Sequence, residues 1–429
     1  MKINQSSKEN NYLKVLSLFS GCGGMDLGFE GGFYVHKKSI NQEVHPDWNT
    51  DKLGNKWLRL PKTKFKTIFA NDIFQAARAA WTPYFSKNDC DVKRNFQLTS
   101  LVDLVKSHRE GNWLFPDADV VTGGFPCQDF SVSGKRKGFN SHKAHHGKLL
   151  SVVDDPTDEN RGKLYMWMKR TVEIVLPKVF VAENVKGLVS LSDVKQVIES
   201  DFRNIGPGYL VVDAKVLRAS TFGVPQNRER IFFIGFRKDA LTKEAIQELS
   251  KPHIRPFFDP YPKKTHCANN IPPMFKIPIL PFVTVQDYIA DLQEPEESQD
   301  PSQQAYSKAK WYGSHCQGQT EVDLYGIGPT IRAEHHGNIE FRRLSEEHGG
   351  KYKNELKAGL QERRLTVREC ARLQTFPDDF EFVRDPLVLG KEFKISASEG
   401  YKLVGNAVPP LLAFNIAWRL QKLWDIVMK

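Results

Sequence analysis

The 429-residue sequence predicts an α/β protein: a doubly wound, mostly parallel sheet with a second, smaller domain. Three observations predict it. Short apolar runs alternate with helical periodicities through the first 240 residues or so. A glycine turn, S-G-C-G-G-M-D-L-G, stands directly after the first of those runs. A stretch rich in Pro, His, Gln and Ser, from about 240 to 360, then breaks the rhythm before helical patterns return.

The elements follow in order. Residues 13–19 (LKVLSLF) read as the first strand, and the glycine turn leads from it into a helix. Residues 67–71 (TIFAN) are a second apolar run ending at Asp72, with a helical stretch over 73–81. Residues 118–122 (ADVVT) form a third strand, which runs into V-T-G-G-F-P-C-Q-D-F-S-V-S-G. Leu164, Met168, Val172 and Val175 recur at helical spacing until Pro177 ends them. Residues 178–182 (KVFVA) are a buried-type strand ending at Glu183, and 210–217 and 231–236 complete the set. Residues 366–376 predict a helix opened by a capping box, Thr366 with Glu369. A last helix starts at Pro410 and faces the core with Leu412, Ile416, Leu420, Leu423 and Val427. In a parallel sheet ligands bind at the carboxyl ends of the strands. The Gly21 turn, Asp72, Cys127 and Glu183 all fall there, so four separate segments point at one crevice.

Bulk properties narrow the class. Forty per cent of the residues are hydrophobic and 26% charged, enough to bury a sizeable core. A formal net charge of +10 suits a polyanionic partner, nucleic acid first. Cys22, Cys90, Cys127, Cys267, Cys316 and Cys370 form no CxxC pair and no zinc spacing, which points to reduced thiols rather than a disulfide framework. The polar opening MKINQSSKENNY lacks a signal h-region, and no uncharged run reaches the length of a membrane span. A soluble, cytoplasmic protein is expected. No repeats or low-complexity tracts occur.

Residue types then point to chemistry. Gly21, Gly23 and Gly24 allow a ligand to approach the backbone closely. The pattern is neither G-x-G-x-x-G, because Asp26 replaces the third glycine, nor a P-loop, because no GK[ST] follows. Asp72 at the end of the next strand can accept hydrogen bonds from both hydroxyls of a ribose. An adenosine-type cofactor follows, and the departure from the dinucleotide pattern favours S-adenosylmethionine over NAD. Most single cysteines are small buried hydrophobes. Cys127 differs: it stands just past a strand end, shaped by Gly123, Gly124 and Pro126, before the basic, glycine-spaced S-V-S-G-K-R-K-G. A thiol on such a corner beside positive charge can act as a nucleophile. Glu183 is either a capping residue or a carboxyl group that shares a proton with a substrate ring nitrogen. Arg228 and Arg230, in Q-N-R-E-R, share a face if the segment is extended, and can grip a carbonyl or a phosphate.

Taken together and in this order, F-S-G-C-G-G-M-D-L-G, N-D, G-F-P-C-Q-D-F-S, E-N-V, Q-N-R-E-R, R-R-L-T-V-R-E-C-A-R-L-Q-T-F-P and G-N-A-V-P-P resemble the DNA (cytosine-5)-methyltransferase family. The resemblance spans 15–236 and 363–429. It implies a Rossmann-like, S-adenosylmethionine-dependent sheet over 1–240 plus 401–429, with a target recognition domain and hinge over 241–400. It implies that Cys127 is the nucleophile that bonds to cytosine C6 and that Glu183, supported by Asn184, contacts N3 and the exocyclic amine. Arg230, with Arg228, would fix the cytosine carbonyl and a nearby phosphate. Phe19, Gly21, Gly23, Asp72, Pro126, Asn406 and Val408 would line the S-adenosylmethionine pocket, which releases S-adenosylhomocysteine as product. Because C6 is unreachable inside a stacked duplex, the target base is expected to flip out. Gln128 and Ser131, in the loop 128–163, are expected to touch the DNA. Arg332, Asn338, Arg342 and Arg343 are donors able to read base edges or phosphates.

Three stretches depart from the family's compact pattern: the insertion between Gly138 and Arg161, the long link 41–66, and the region after Phe96, where Asp103 is an ambiguous candidate for the adenine contact. His142, His145 and His146 in the insertion lack a second ligand pair at a recognisable spacing, so no metal is expected. The leading expectation is a monomeric bacterial modification enzyme acting on double-stranded DNA at the nucleoid, half of a pair with a cognate restriction endonuclease. The motifs begin within twenty residues of the N-terminus, so no additional regulatory domain is expected. Competing readings are an RNA methyltransferase on the same scaffold, an inactive DNA-binding regulator, and a nicotinamide dehydrogenase.

Overall fold

The computed structural model describes residues 12–48, 51–88, 94–126, 164–191, 193–268, 279–333, 338–385 and 393–429. Strand β1 (Leu13–Leu18) leads through the glycine turn to helix α1 (Gly24–Glu30). Three short strands, β2 (Tyr34–His36), β3 (Asp51–Leu53) and β4 (Trp57–Arg59), form a separate antiparallel sheet in the order β2-β4-β3. The long link expected over 41–66 is thus a small structural unit. Next come β5 (Phe65–Asp72), α2 (Gln75–Asn88), β6 (Asn95–Leu98), α3 (Leu101–Arg109) and β7 (Val120–Gly124). After them follow α4 (Leu164–Val175), β8 (Val179–Val185), α5 (Val194–Arg203), β9 (Tyr209–Arg218), β10 (Glu229–Arg237) and α6 (Lys243–Leu249).

The main sheet has seven strands in the order β6-β5-β1-β7-β8-β10-β9. The pairs β5–β6, β1–β5, β1–β7 and β7–β8 are parallel, and β10 runs antiparallel to β8 and β9. This is the expected doubly wound, mostly parallel sheet. It has two cores, one on each face. In β8, Val179 and Val181 enter one core, and Phe180 and Ala182 enter the other. In β7, Val120 and Val121 divide the same way. Burial on both faces is why these strands read as continuous apolar runs. The helix α2 runs beyond the expected end at 81 and contains Pro83.

The chain end closes the fold. The helix Pro410–Val427 lies on α1, and a Cβ at Gly28 would sit 2.4 Å from the Ala413 side chain and 2.5 Å from the Pro410 carbonyl. Only a glycine permits that approach. Leu412, Ile416, Leu420, Leu423 and Val427 are all buried, as their spacing requires.

Past the boundary expected at 240/241, the chain continues to pack on the core of the sheet. Leu241, Ala245 and Leu249 on and before α6 belong to the core shared with the C-terminal helix. Thr242 donates its backbone N–H to Val427 (2.9 Å), and Lys429 donates to Ala240 (2.9 Å). The Tyr261 hydroxyl donates to the Phe232 carbonyl of β10 (2.8 Å). Through these contacts α6 buries Ala245 and Leu249 in the core of the sheet. At the other end, Val367, Cys370, Ala371, Leu373, Phe376 and Phe380 also enter that core. Among the described residues no helix is long and apolar enough to cross a membrane.

Arg342 and Arg343, expected to contact DNA, are held by carboxylates within the protein. Arg343 is fully buried and donates to Glu355 (2.7 Å), Glu294 (2.8 Å) and the Gln361 carbonyl (3.0 Å). Arg342 donates to Glu355 (2.8 Å). Glu294 also accepts from Arg363 (2.8 Å), whose remaining fork grips Glu369 through two bonds of 2.9 Å. Glu369 in turn completes the expected capping box with Thr366 at the start of the helix Val367–Leu373. A buried guanidinium must find partners inside the protein, and here carboxylates supply them. Burial raises the Glu294 carboxyl, but Arg363 and Arg343 outweigh it and hold it at about 2.

A carboxyl group held below its unfolded value stabilises the fold above that value, and the contribution fades as pH falls from about 4 towards 2. Glu294→Gln should therefore cost about 2 kcal/mol or more at pH 7, and should reduce the loss of stability between pH 7 and pH 3. Urea unfolding at the two pH values checks both. An unchanged difference between them would exclude Glu294 as a source of acid sensitivity.

Candidate active site

The first half of the site is the turn after β1. Phe19 takes a left-handed backbone conformation (φ 51°), unusual for a residue with a side chain, and Gly21 and Gly23 follow with φ of 53° and 89°. The turn is laced to the neighbouring strand. Ser20 donates its N–H to the Asn71 carbonyl (2.8 Å), and Asn71 returns one to the Ser20 hydroxyl (3.0 Å). Gly21 donates to Asp72 Oδ2 (2.9 Å), and Phe74 donates to Asp72 Oδ1 (2.9 Å). Each carboxylate oxygen is oriented by one amide and keeps a lone pair for a ligand. Burial raises the Asp72 carboxyl, against those amides and Lys402.

The glycines here have distinct jobs. A Cβ at Gly23 would strike Trp81 (2.6 Å) and Phe85 (2.7 Å). One at Gly24 would lie 2.4 Å from the Val408 carbonyl, so the segment after Asn406 can approach the turn directly. Asn406 ends the helix Ala397–Asn406 and is exposed, while Val408 is buried. Asp26, standing where a dinucleotide motif would have glycine, is buried and accepts from the Trp81 indole (2.7 Å). Cys22 is a core group: its thiol meets the Leu403 carbonyl (3.6 Å), and burial pushes its ionisation up. The turn therefore fits an adenosine-type ligand by bare backbone, an oriented carboxylate and a missing third glycine.

The second half lies between β7, β8 and β10. Glu183 is buried and pairs across the sheet with Phe232. Its Oε1 accepts from Arg230 Nε at 2.9 Å. Burial raises the Glu183 carboxyl, against the opposing pull of Arg230 and then Arg228. On the other side Gly124 pairs with Glu183, and a Cβ there would lie 2.8 Å from Oε2. Asn184 donates its side-chain amide to the Phe125 carbonyl (3.0 Å), pinning the corner that leads to Pro126. The carboxylate thus stands over a strand end whose neighbour has no side chain.

Arg228 lies just outside the strand, although its charge still acts on Glu183. Strand β10 begins at Glu229, one residue later. The Arg228 guanidinium is fully buried and donates to the Ile331 carbonyl (3.0 Å) and the Gly405 carbonyl (2.7 Å). Two backbone carbonyls thus orient its fork. Arg332 is half-buried and donates to the Gln317 side chain, and Asn338 is half-buried as well. Asp103 is exposed on α3. Cys127, Gln128, Ser131 and His142, His145 and His146 lie outside the described residues. Ile73 was missed by sequence reasoning: it is a large apolar side chain left 53% exposed beside Asp72. Its signal was position, directly after the acid that ends a strand.

A doubly wound sheet with a glycine turn, an acid at the next strand end and a buried Glu–Arg pair defines an α/β methyltransferase-type enzyme. Comparison with known proteins is specific. The model of the C-5 cytosine-specific DNA methylase family matches residues 51–422. The chain is 32% identical to the Type II methyltransferase M.BsuRI of Bacillus subtilis, over 94% of this chain and 78% of that protein. It is 31% identical to the Type II methyltransferase M.BspRI of Lysinibacillus sphaericus, over 95% of this chain and 81% of that one. Among solved structures, the Entamoeba histolytica methyltransferase EhMeth superposes with a TM-score of 0.53 at 15% identity, covering 97% and 98% of the two chains. The Dnmt2 methyltransferase of S. pombe superposes at 0.51 and 18%, covering 95% and 98%. At such identities these two attest the fold. The chain belongs to the C-5 cytosine-specific DNA methylase family, and it is a DNA (cytosine-5)-methyltransferase. The family implies S-adenosylmethionine as methyl donor and DNA as substrate.

Gly124→Ala tests the geometry. The added methyl group would push the Glu183 carboxylate aside, so turnover should fall about 10- to 100-fold with cofactor affinity unchanged. Steady-state kinetics with calorimetric titration of S-adenosylhomocysteine would show it; full activity would mean that the carboxylate position is unimportant.

Proposed function

We propose that this enzyme methylates C5 of one cytosine, flipped out of a specific short duplex sequence, through a covalent bond to Cys127. The buried Glu183–Arg230 pair beside Gly124 carries the reading, because it sets a carboxyl whose pKa burial raises, with a guanidinium, at the strand ends next to Pro126. Cytosine C5 is a poor nucleophile. The Cys127 thiolate adds to C6, and the electrons of the C5–C6 double bond shift to make C5 nucleophilic. Glu183 holds a proton at N3 and faces the exocyclic amine, and its raised ionisation suits a carboxyl that donates. Arg230 offers its guanidinium to the O2 carbonyl. S-adenosylmethionine supplies an electrophilic methyl group. A base then removes the C5 proton, and the returning electrons expel the Cys127 thiolate.

Asp72 would take the ribose hydroxyls, Ile73 the face of the adenine, and Gly21, Gly23, Phe19, Pro126, Asn406 and Val408 the rest of the cofactor. Gln128, Ser131, Arg332 and Asn338 would contact DNA. The net charge of +10 supports binding to a polyanion. The two Type II methyltransferases cited above support a protective role for host DNA, beside a cognate restriction endonuclease, in the cytoplasm of a bacterium. The enzyme would act as a monomer.

Plasmid DNA from cells expressing the chain should show, by bisulfite sequencing, protected cytosines in one short repeated context. Cys127→Ser should lower methylation at least about 1,000-fold while leaving S-adenosylhomocysteine binding intact. Near-normal turnover by that variant would remove Cys127 from the chemistry. Protection absent from DNA but present in tRNA would overturn the choice of substrate.

A further inference from the structure

Arg228 joins three parts of the molecule that are far apart in sequence. It precedes β10 by one residue and Arg230, the partner of Glu183, by two. Its fork reaches the Ile331 carbonyl, next to Arg332, and the Gly405 carbonyl, next to Asn406. The surroundings leave little slack. Asn227 donates to the Gly328 carbonyl (2.7 Å), and Gly328 donates to Pro225 (3.0 Å). The Thr330 hydroxyl donates to the Asn227 carbonyl. Gln226, fully buried, accepts from the Ile331 N–H (3.3 Å) and donates to the Leu373 carbonyl (3.3 Å). A Cβ at Gly405 would lie 2.3 Å from the Arg332 carbonyl carbon, so the two backbones touch.

We propose that Arg228 is a positioning residue that couples DNA binding to cofactor binding. This rests on the functional reading above, in which Arg332 faces DNA and Asn406 faces the cofactor. A shift of residues 331–332 on engaging DNA moves one carbonyl held by the fork. The guanidinium is rigid and planar, so the shift is passed to Gly405 and to the Asn406 turn. The same link runs backwards, because a coupling between two binding events is reciprocal. A lysine in this place offers one ammonium and cannot hold both carbonyls in the geometry of the fork.

The test is calorimetric titration of S-adenosylhomocysteine, with and without a duplex carrying the sequence found by bisulfite analysis. For the wild type, DNA should change cofactor affinity by about tenfold. Arg228→Lys should hold cofactor affinity without DNA within about threefold, and should bring the effect of DNA close to none. A purely structural role would lower the thermal midpoint and leave the ratio of affinities untouched, and that result overturns the proposal. If Arg228→Lys does not fold, Gln226→Ala removes the neighbouring link to Ile331 and should lose the coupling in the same way; an unchanged ratio there overturns it equally. A wild type that binds both ligands without mutual effect also refutes the coupling. A wild type that binds neither refutes the functional reading itself, and the proposal with it.

Discussion

The fold depends on a place where side chains are missing. Gly24 and Gly28 present bare backbone to the C-terminal segment, which comes so near that a methyl group at either would overlap it. That contact brings Val408, and with it Asn406, to the turn formed by residues 19–24. The crevice beside this turn is therefore built from segments nearly four hundred residues apart. Its floor, Asp72, is set by amides of Gly21 and Phe74, so the carboxylate is oriented before any ligand arrives. Preorganisation of this kind lowers the ordering cost that binding would otherwise carry.

Two groups of buried charge show how the same forces serve different ends. Around Glu294 the forks of Arg343 and Arg363 are matched by carboxylates and a carbonyl, and the carboxyl is held strongly ionised. Glu183 has one arginine at one oxygen, and burial dominates, so its proton is held more tightly. The first arrangement fixes the segment 341–369 against the body of the protein. The second sets an oxygen beside Gly124, where the neighbouring strand has no side chain.

Much of this was legible in the sequence. Strands buried on both faces announced themselves as apolar runs, and Asp72 and Glu183 stand at strand ends as read. The capping box at Thr366 and Glu369 formed as read. What escaped had a physical reason. Strand β6, Asn-Phe-Gln-Leu at the sheet edge, is buried on neither face and carries no apolar run. The arginines at 342 and 343 looked like DNA contacts, because a sequence shows donors without showing which carboxylates lie near. Arg228 and Arg230 looked equivalent at a spacing of two, yet the strand starts between them, so Arg228 also reaches the Ile331 and Gly405 carbonyls. The boundary near 240 followed a change in composition, while the chain follows the surface against which α6 can be buried.

The union of the two chain ends also has a consequence for synthesis. Residues 19–24 leave the ribosome nearly four hundred residues before 405–408, and the contact between them has very high sequence separation. Contacts of that range are slow to form, and they form late. A growing chain can lay down β1, β5 and β7 as they emerge, but it has no complete cofactor crevice until the last helix arrives. The contact between the turn and the segment after Asn406 can therefore form only once residues 405–408 have been made.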